Sequence, residues 1–350
     1  MRALFCLTAL IFRGHAAQAQ ALGPSIVPSE DYTHPQQLVP IDGLRRLNLF
    51  CMGSGEPVVL LDAGAGGTTL DWRHVQGQVA QFTRVCSYDR AGTGFSDAAS
   101  RPSDIRNTVD DIHHLLLAAQ IHGPVVYVGH SIAGLYGIYL AAVYPRDVAG
   151  AVFVDPAFPN VFDKLVDALP ATVRPQEYAI FAQMIAAQQL CTGLARTGAL
   201  MPAVTANAKA CIDPASYPDT LDAKLKTTLT LQMAAVQENE AMLSLQEGAF
   251  SVSQRPSQYD LQIDSVHPDF GNKPLIVLTE GSGEPLPAPN PAAQAAMTAV
   301  WRAGHRELAQ TSTLGSDIIV PHTGHFIQIE QPSAVIDAIK QTVLLLRRQA

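Results

Sequence analysis

The stretch Val125-Val126-Tyr127-Val128-Gly129-His130-Ser131-Ile132-Ala133-Gly134 constrains this chain more than any other. Its apolar, β-branched run predicts a buried strand, which stops at a serine flanked by residues small enough for a sharp turn. A serine at such a strand-to-helix turn projects its hydroxyl beyond the sheet edge. The first amides of the following helix then point their N–H groups at any negative charge that develops there. That placement suits a nucleophile. A buried turn of small residues without chemistry would read the same over five positions, so the rest of the chain has to decide.

Gly129-His130-Ser131-Ile132-Ala133 resembles the nucleophile elbow of the α/β-hydrolase superfamily, Gly-x-Ser-x-Gly, with Ala133 in place of the second glycine and Gly134 next to it. Upstream, Pro57-Val58-Val59-Leu60-Leu61-Asp62 predicts a buried strand running into Ala63-Gly64-Ala65-Gly66-Gly67-Thr68, where glycines let the backbone approach a ligand. The resemblance implies that this loop supplies one oxyanion-hole N–H and the residue after the serine the other, namely Ala65 and Ile132. Ala63-Gly64 replaces the usual His-Gly pair, so the motif leaves the first donor open within Ala63 to Gly66. A dinucleotide site fits badly. After Gly64 and Gly66 the third glycine position is Thr69, and no Gly-Lys-Ser/Thr phosphate loop occurs.

The segment Arg84 to Asp97 reads as a strand and a tight Asp-Arg-x-Gly-x-Gly-x-Ser loop, similar to the loop after the fourth strand of the same superfamily. Asp89 and Arg90 are expected to pair with each other and brace that loop without taking part in chemistry. Far downstream, Asp317 to Pro321 predicts a last strand. The Gly324-His325-Phe326 loop and the amphipathic stretch from Ser333 resemble the superfamily's histidine loop and closing helix. The order of serine, acid and histidine in this fold's triads favours His325 as the base over His322. Two carboxylates satisfy the order for the acid. Asp155 ends the predicted strand beginning at Gly150, and Glu284 lies in a Gly/Pro-rich loop after the strand Lys273 to Glu280. A triad carboxylate must be held rigidly, and a strand end does this better than such a loop, so Asp155 is expected and Glu284 is the alternative.

Composition agrees with one large α/β domain. Of 350 residues, 47% are hydrophobic and 15% charged, enough to bury a large core, and the net charge of −8 without a basic cluster argues against nucleic acid or anionic membranes as partners. No cofactor and no metal are expected. Asp110, Asp111, His113 and His114 fall on the solvated side of a helix whose inward face is Ile105, Val109, Ile112, Leu115 and Leu116. The hydrolase core is expected over residues 36–157 and 272–347, split by a helical cap insertion at 158–271. In the cap, Gln176–Gln189 and Asp222–Gln246 show helical spacing, and Met184, Met233 and Met242 are candidates to line a substrate pocket.

Residues 1–21 resemble an export signal, with Met1-Arg2, an apolar stretch from Ala3 to Phe12, and a small-x-small cleavage site at Ala17-Gln18-Ala19. A cut after Ala19 or Ala21 would leave Cys51, Cys86, Cys191 and Cys211 in a periplasmic or secreted protein, where three disulfide pairings are possible. The superfamily's strand order makes the second and fourth strands neighbours, which implies Cys51–Cys86 and leaves Cys191–Cys211 within the cap. The expectation is an α/β-hydrolase fold with an eight-stranded, mostly parallel sheet, helices on both faces and a cap. The expected activity is hydrolysis of a small ester, or alternatively an amide, through Ser131, His325 and Asp155. A non-catalytic ligand-binding member of the fold is the competing class. Haloalkane dehalogenase and epoxide hydrolase chemistry, which use a carboxylate at the nucleophile position, are disfavoured by Ser131.

Overall fold

The computed structural model describes residues 27–349 apart from 215–216, 218, 253–254, 268, 284–287 and 289. The expected signal segment and Glu284 therefore lie outside the described residues. Eight strands form one sheet: β1 (Gln37–Pro40), β2 (Arg46–Met52), β3 (Val59–Asp62), β4 (Val85–Tyr88), β5 (Val125–His130), β6 (Val148–Val154), β7 (Leu275–Glu280) and β8 (Gly315–Val320). Their order is β1-β2-β4-β3-β5-β6-β7-β8. The β1–β2 and β2–β4 pairs are antiparallel, and every pair from β4 to β8 is parallel. The sheet is the eight-stranded, mostly parallel one that the family resemblance implies.

The central strands are apolar on both faces because both faces are covered, and side chains alternate between them. Val125 and Tyr127 of β5, with Ala151 and Phe153 of β6, join one core cluster; Val126, Val128, Val152 and Val154 join the other. The first cluster is closed by α2 (Ile105–Ala118), α3 (Ala133–Val143) and α10 (Pro291–Ala309), the second by α1 (Gln76–Val79), α11 (Ile327–Glu330) and α12 (Pro332–Gln349). Local signals set the helix starts. Asp104 caps α2 by accepting the Asn107 N–H at 2.8 Å, and Asn290 caps α10 by accepting that of Ala293 at 2.9 Å, with Pro291 in the first turn.

Between β6 and β7 the described residues are helical: α4 (Val161–Asp167), α5 (Arg174–Arg196), α6 (Ala206–Cys211), α7 (Ala223–Ala234), α8 (Val236–Ala249) and α9 (Gln258–Ile263). The single helical pattern read over Asp222–Gln246 is two helices, parted where Ala235 turns extended at ψ 139°. Cys51 stands directly opposite Cys86 in the β2–β4 register and the two are disulfide-bonded, as are Cys191, in the last two turns of α5, and Cys211, the last residue of α6. One surface assignment is corrected. Asp111 is buried, its carboxylate gripped by both terminal nitrogens of Arg45 at 2.8 Å and by Arg101 at 2.7 Å, so it joins α2 to the β1–β2 turn. Among the described residues no helix is long and apolar enough to cross a membrane.

Candidate active site

Ser131 follows β5 with φ at +56°, a left-handed conformation that costs a non-glycine residue energy and persists only where neighbours fix it. They do so here. Its N–H donates to Val154 O at 3.1 Å, and its carbonyl accepts from Ala157 N at 2.7 Å and Gly134 N at 2.9 Å. A side chain at Gly134 would fall 2.4 Å from Ala157 O, so the close approach of turn and β6 loop falls on this glycine, one position after the motif's alanine. Three more candidates also stand at the carboxyl ends of strands, where open α/β sheets place their sites: Ala65 after β3, Asp155 after β6 and His325 after β8.

The structure brings three of the sequence-derived candidates together. His325 Nε2 lies 2.9 Å from Ser131 Oγ, and its Nδ1 lies 2.6 Å from Asp155 Oδ2. Asp155 is fully buried, also has a positive φ of 43°, and receives the Trp301 indole N–H at 2.9 Å and the Glu280 N–H at 3.0 Å on Oδ1. Burial pushes this carboxyl up; the hydrogen bond and charge of His325, with His305 and Trp301, outweigh it and hold the group below the usual carboxylate range.

His130, which the sequence reading passed over, packs its ring 4.7 Å from that of His325 and places Nε2 2.9 Å from the His325 carbonyl. Burial, then the neighbouring His325 charge, lowers it to about 3, so it is neutral, and a neutral ring facing a carbonyl carries its proton on Nε2. Its place directly before the serine was the available signal. Trp301 gave none beyond its position on the inward face of an amphipathic helix.

Around the turn, the Ala63–Thr68 loop comes close to the serine. A side chain on Gly64 would lie 2.8 Å from His130 Nδ1 and 3.3 Å from Ser131 Cβ. Among the described residues the N–H groups of Ala65 and Ile132 donate no backbone hydrogen bond. The expected Asp89–Arg90 pair does not form. Arg90 turns instead to Asp62 Oδ1 at 2.6 Å and to the carbonyls of Ala63 and Gly64. Asp89 accepts from Asn48 Nδ2 and Thr69 N at 2.8 Å and from Phe95 N at 3.0 Å. Adjacent side chains on an extended segment point opposite ways, which sends one to each neighbouring loop.

A cavity of about 300 Å³ adjoins this loop, lined by Ala65 and Gly66 and by Phe326 beside the histidine. Met233 and Met242 line it as well; Met184 does not and is exposed on α5. Two carboxylates reach it that the sequence did not single out. Asp71 accepts the Tyr217 hydroxyl at 2.8 Å, and Glu238 accepts the Gly94 N–H at 3.0 Å.

Comparison with known proteins gives the same architecture. A RutD protein of Cronobacter turicensis, provisionally named a carbamate hydrolase, is 34% identical over 103 residues, which is 29% of this chain and 38% of that protein. The chain spans 16%, 14% and 39% of three other curated relatives it matches. A haloalkane dehalogenase loop variant from Bradyrhizobium elkanii superposes with a TM-score of 0.63 at 17% identity, covering 90% of this chain and 97% of the other. A serine hydrolase involved in carbazole degradation gives 0.57 at 16% identity, covering 88% and 98%. At these identities the structural likeness is one of fold alone. The profile of the alpha/beta hydrolase family matches residues 58–338, and with that span the chain belongs to this family.

Proposed function

We propose that the protein is an exported serine hydrolase acting on a carboxylic ester through Ser131, His325 and Asp155. The observation that carries it is the hydrogen-bonded line from Ser131 Oγ through the two ring nitrogens of His325 to Asp155, at 2.9 and 2.6 Å. In this reading His325 takes the serine proton as Oγ attacks the carbonyl carbon. Asp155 fixes the imidazole tautomer and stabilises the imidazolium that forms. The N–H groups of Ala65 and Ile132 receive the oxyanion. His325 then returns the proton to the leaving alcohol, and water releases the acyl group by the same steps. The residues expected as the cap, 158–271, contribute Met233, Met242 and Glu238 to the chamber wall, which supports a role in choosing the substrate. The two disulfides support an oxidising destination.

Ser131→Ala should abolish hydrolysis of p-nitrophenyl esters and labelling by a fluorophosphonate probe while leaving the melting temperature within a few degrees, because only one oxygen is lost from an unchanged turn. Near wild-type turnover in that variant would sink the assignment. Aminoacyl anilides run beside the esters separate the amidase alternative, and a wild-type protein that resists the probe would favour the non-catalytic one.

A further inference from the structure

The cavity at the Ala63–Thr68 loop, whose Gly64 packs against Ser131, combines an apolar wall and two carboxylates that come from different parts of the fold. Asp71 belongs to the short 3-10 turn Thr69–Trp72 that follows the Ala63–Thr68 loop, and Glu238 to the first turn of α8. No lysine, arginine or histidine stands among the described residues that line the chamber. The nearby guanidinium of Arg90 is already taken up by Asp62 and two loop carbonyls.

Each carboxylate has some fixed support. Tyr217 holds one oxygen of Asp71 and the Gly94 N–H one oxygen of Glu238, while Glu238 Oε1 has no hydrogen-bond partner among the described residues. Asp71 Oδ2 lies 2.1 Å from where a side chain on Gly67 would begin, so the glycine at the cavity wall leaves room for the carboxylate. Leu229, Met233, Met242 and Phe326 supply the apolar surface between.

We infer that this chamber selects a substrate bearing an ammonium group, primary or quaternary, on a short apolar spacer, with the positive charge held by Asp71 and Glu238; that the ligand is a substrate rests on the hydrolase reading above. Burial favours neutral carboxyls, raising Asp71 to about 6 and Glu238 to about 8. Poorly solvated carboxyls whose nearest cation, Arg90, is already bound by Asp62 gain most from a ligand that brings a charge of its own, and the same pair repels an anionic substrate. The apolar wall accommodates the methylenes or methyls that carry the charge.

Calorimetry on Ser131→Ala tests the charge preference without needing turnover. At about pH 8.5, γ-(trimethylammonio)butyramide should bind at least tenfold more tightly than its neutral isostere with carbon in place of the ammonium nitrogen. Glu238→Gln in that background keeps an acceptor for the Gly94 N–H and should remove most of the difference; Asp71→Asn should reduce it independently. Thermal melts of each variant establish that it is folded. Equal affinity for the two amides, or a preference that survives both substitutions, overturns the inference. With the wild-type protein and the matching p-nitrophenyl esters, cleavage of both without preference for the cation defeats the charge inference and leaves the hydrolase reading standing. Tight cation binding with neither ester cleaved nor Ser131 labelled does the reverse.

Discussion

Asp155 is held from three directions, by the His325 ring, the Trp301 indole on α10 and the Glu280 amide at the end of β7, and its own backbone is left-handed. A group over-determined in this way can orient a partner without moving. Asp155→Asn should therefore keep its shape and its indole contact yet offer His325 the wrong hydrogen-bonding partner, lowering kcat about ten-thousandfold, as in the serine-protease precedent. Steady-state kinetics checks this, and a loss below tenfold would remove Asp155 from the proposed mechanism.

Glu238 makes a second residue-scale forecast, through stability. Burial sets its folded pKa near 8, with Asp71 and Asp89 pushing up and Gly94 and Arg90 pulling down. The folded state thus keeps a proton that the unfolded chain has lost above about pH 4.3, so this group costs stability progressively as pH rises toward 8. Glu238→Gln should raise the melting temperature relative to wild type at about pH 8.5 and lose that advantage at about pH 5. A difference independent of pH would contradict the protonated state.

At the scale of elements, the contact between α5 and α6 relies on different glue from the sheet. The cluster joining α5 and α6 contains only Ala195, Leu200, Ala208 and Ile212 as buried residues, a small apolar area for two helices. The Cys191–Cys211 bond, closing 20 residues, compensates by restricting the unfolded chain, worth about 3 kcal/mol for a loop of this size. Replacing both cysteines by serine should lower stability by about that amount in urea unfolding, with the loss concentrated in this helical region. An unchanged midpoint would show that α6 is anchored by packing alone.

For the whole molecule, the sheet is covered on both faces by extensive clusters, one of which also takes in α4, α8 and α9, while α6 packs into a small one. Regions with few buried apolar contacts open locally at lower free energy. Hydrogen exchange should therefore be slowest at β5 and β6 and fastest, among the helices, at α6, with α2 and α3 protected like the sheet. Protection of α6 equal to that of β5 would mean that α6 and the sheet open as one unit.

The sequence by itself determined what is local. A β-branched run ending at Gly129-His130-Ser131 fixes a strand, a turn and a helix within a dozen residues, and the continuous apolar strands announced a sheet buried on both faces. Cys51 opposite Cys86 followed once the strand order was implied. What only tertiary structure decided concerns side chains whose partners lie far along the chain. Asp155 meets His325 across 170 positions and Trp301 across 146, distances over which spacing carries no information about contact. The same holds where the expectations failed. Arg90 chose Asp62 over its neighbour Asp89, Asp111 was drawn inward by Arg45, and Met184 was left outside while Asp71 and Glu238 entered the chamber. Periodicity reports which face of an element is apolar, but a buried charge goes wherever the packed fold places its counter-charge or donor.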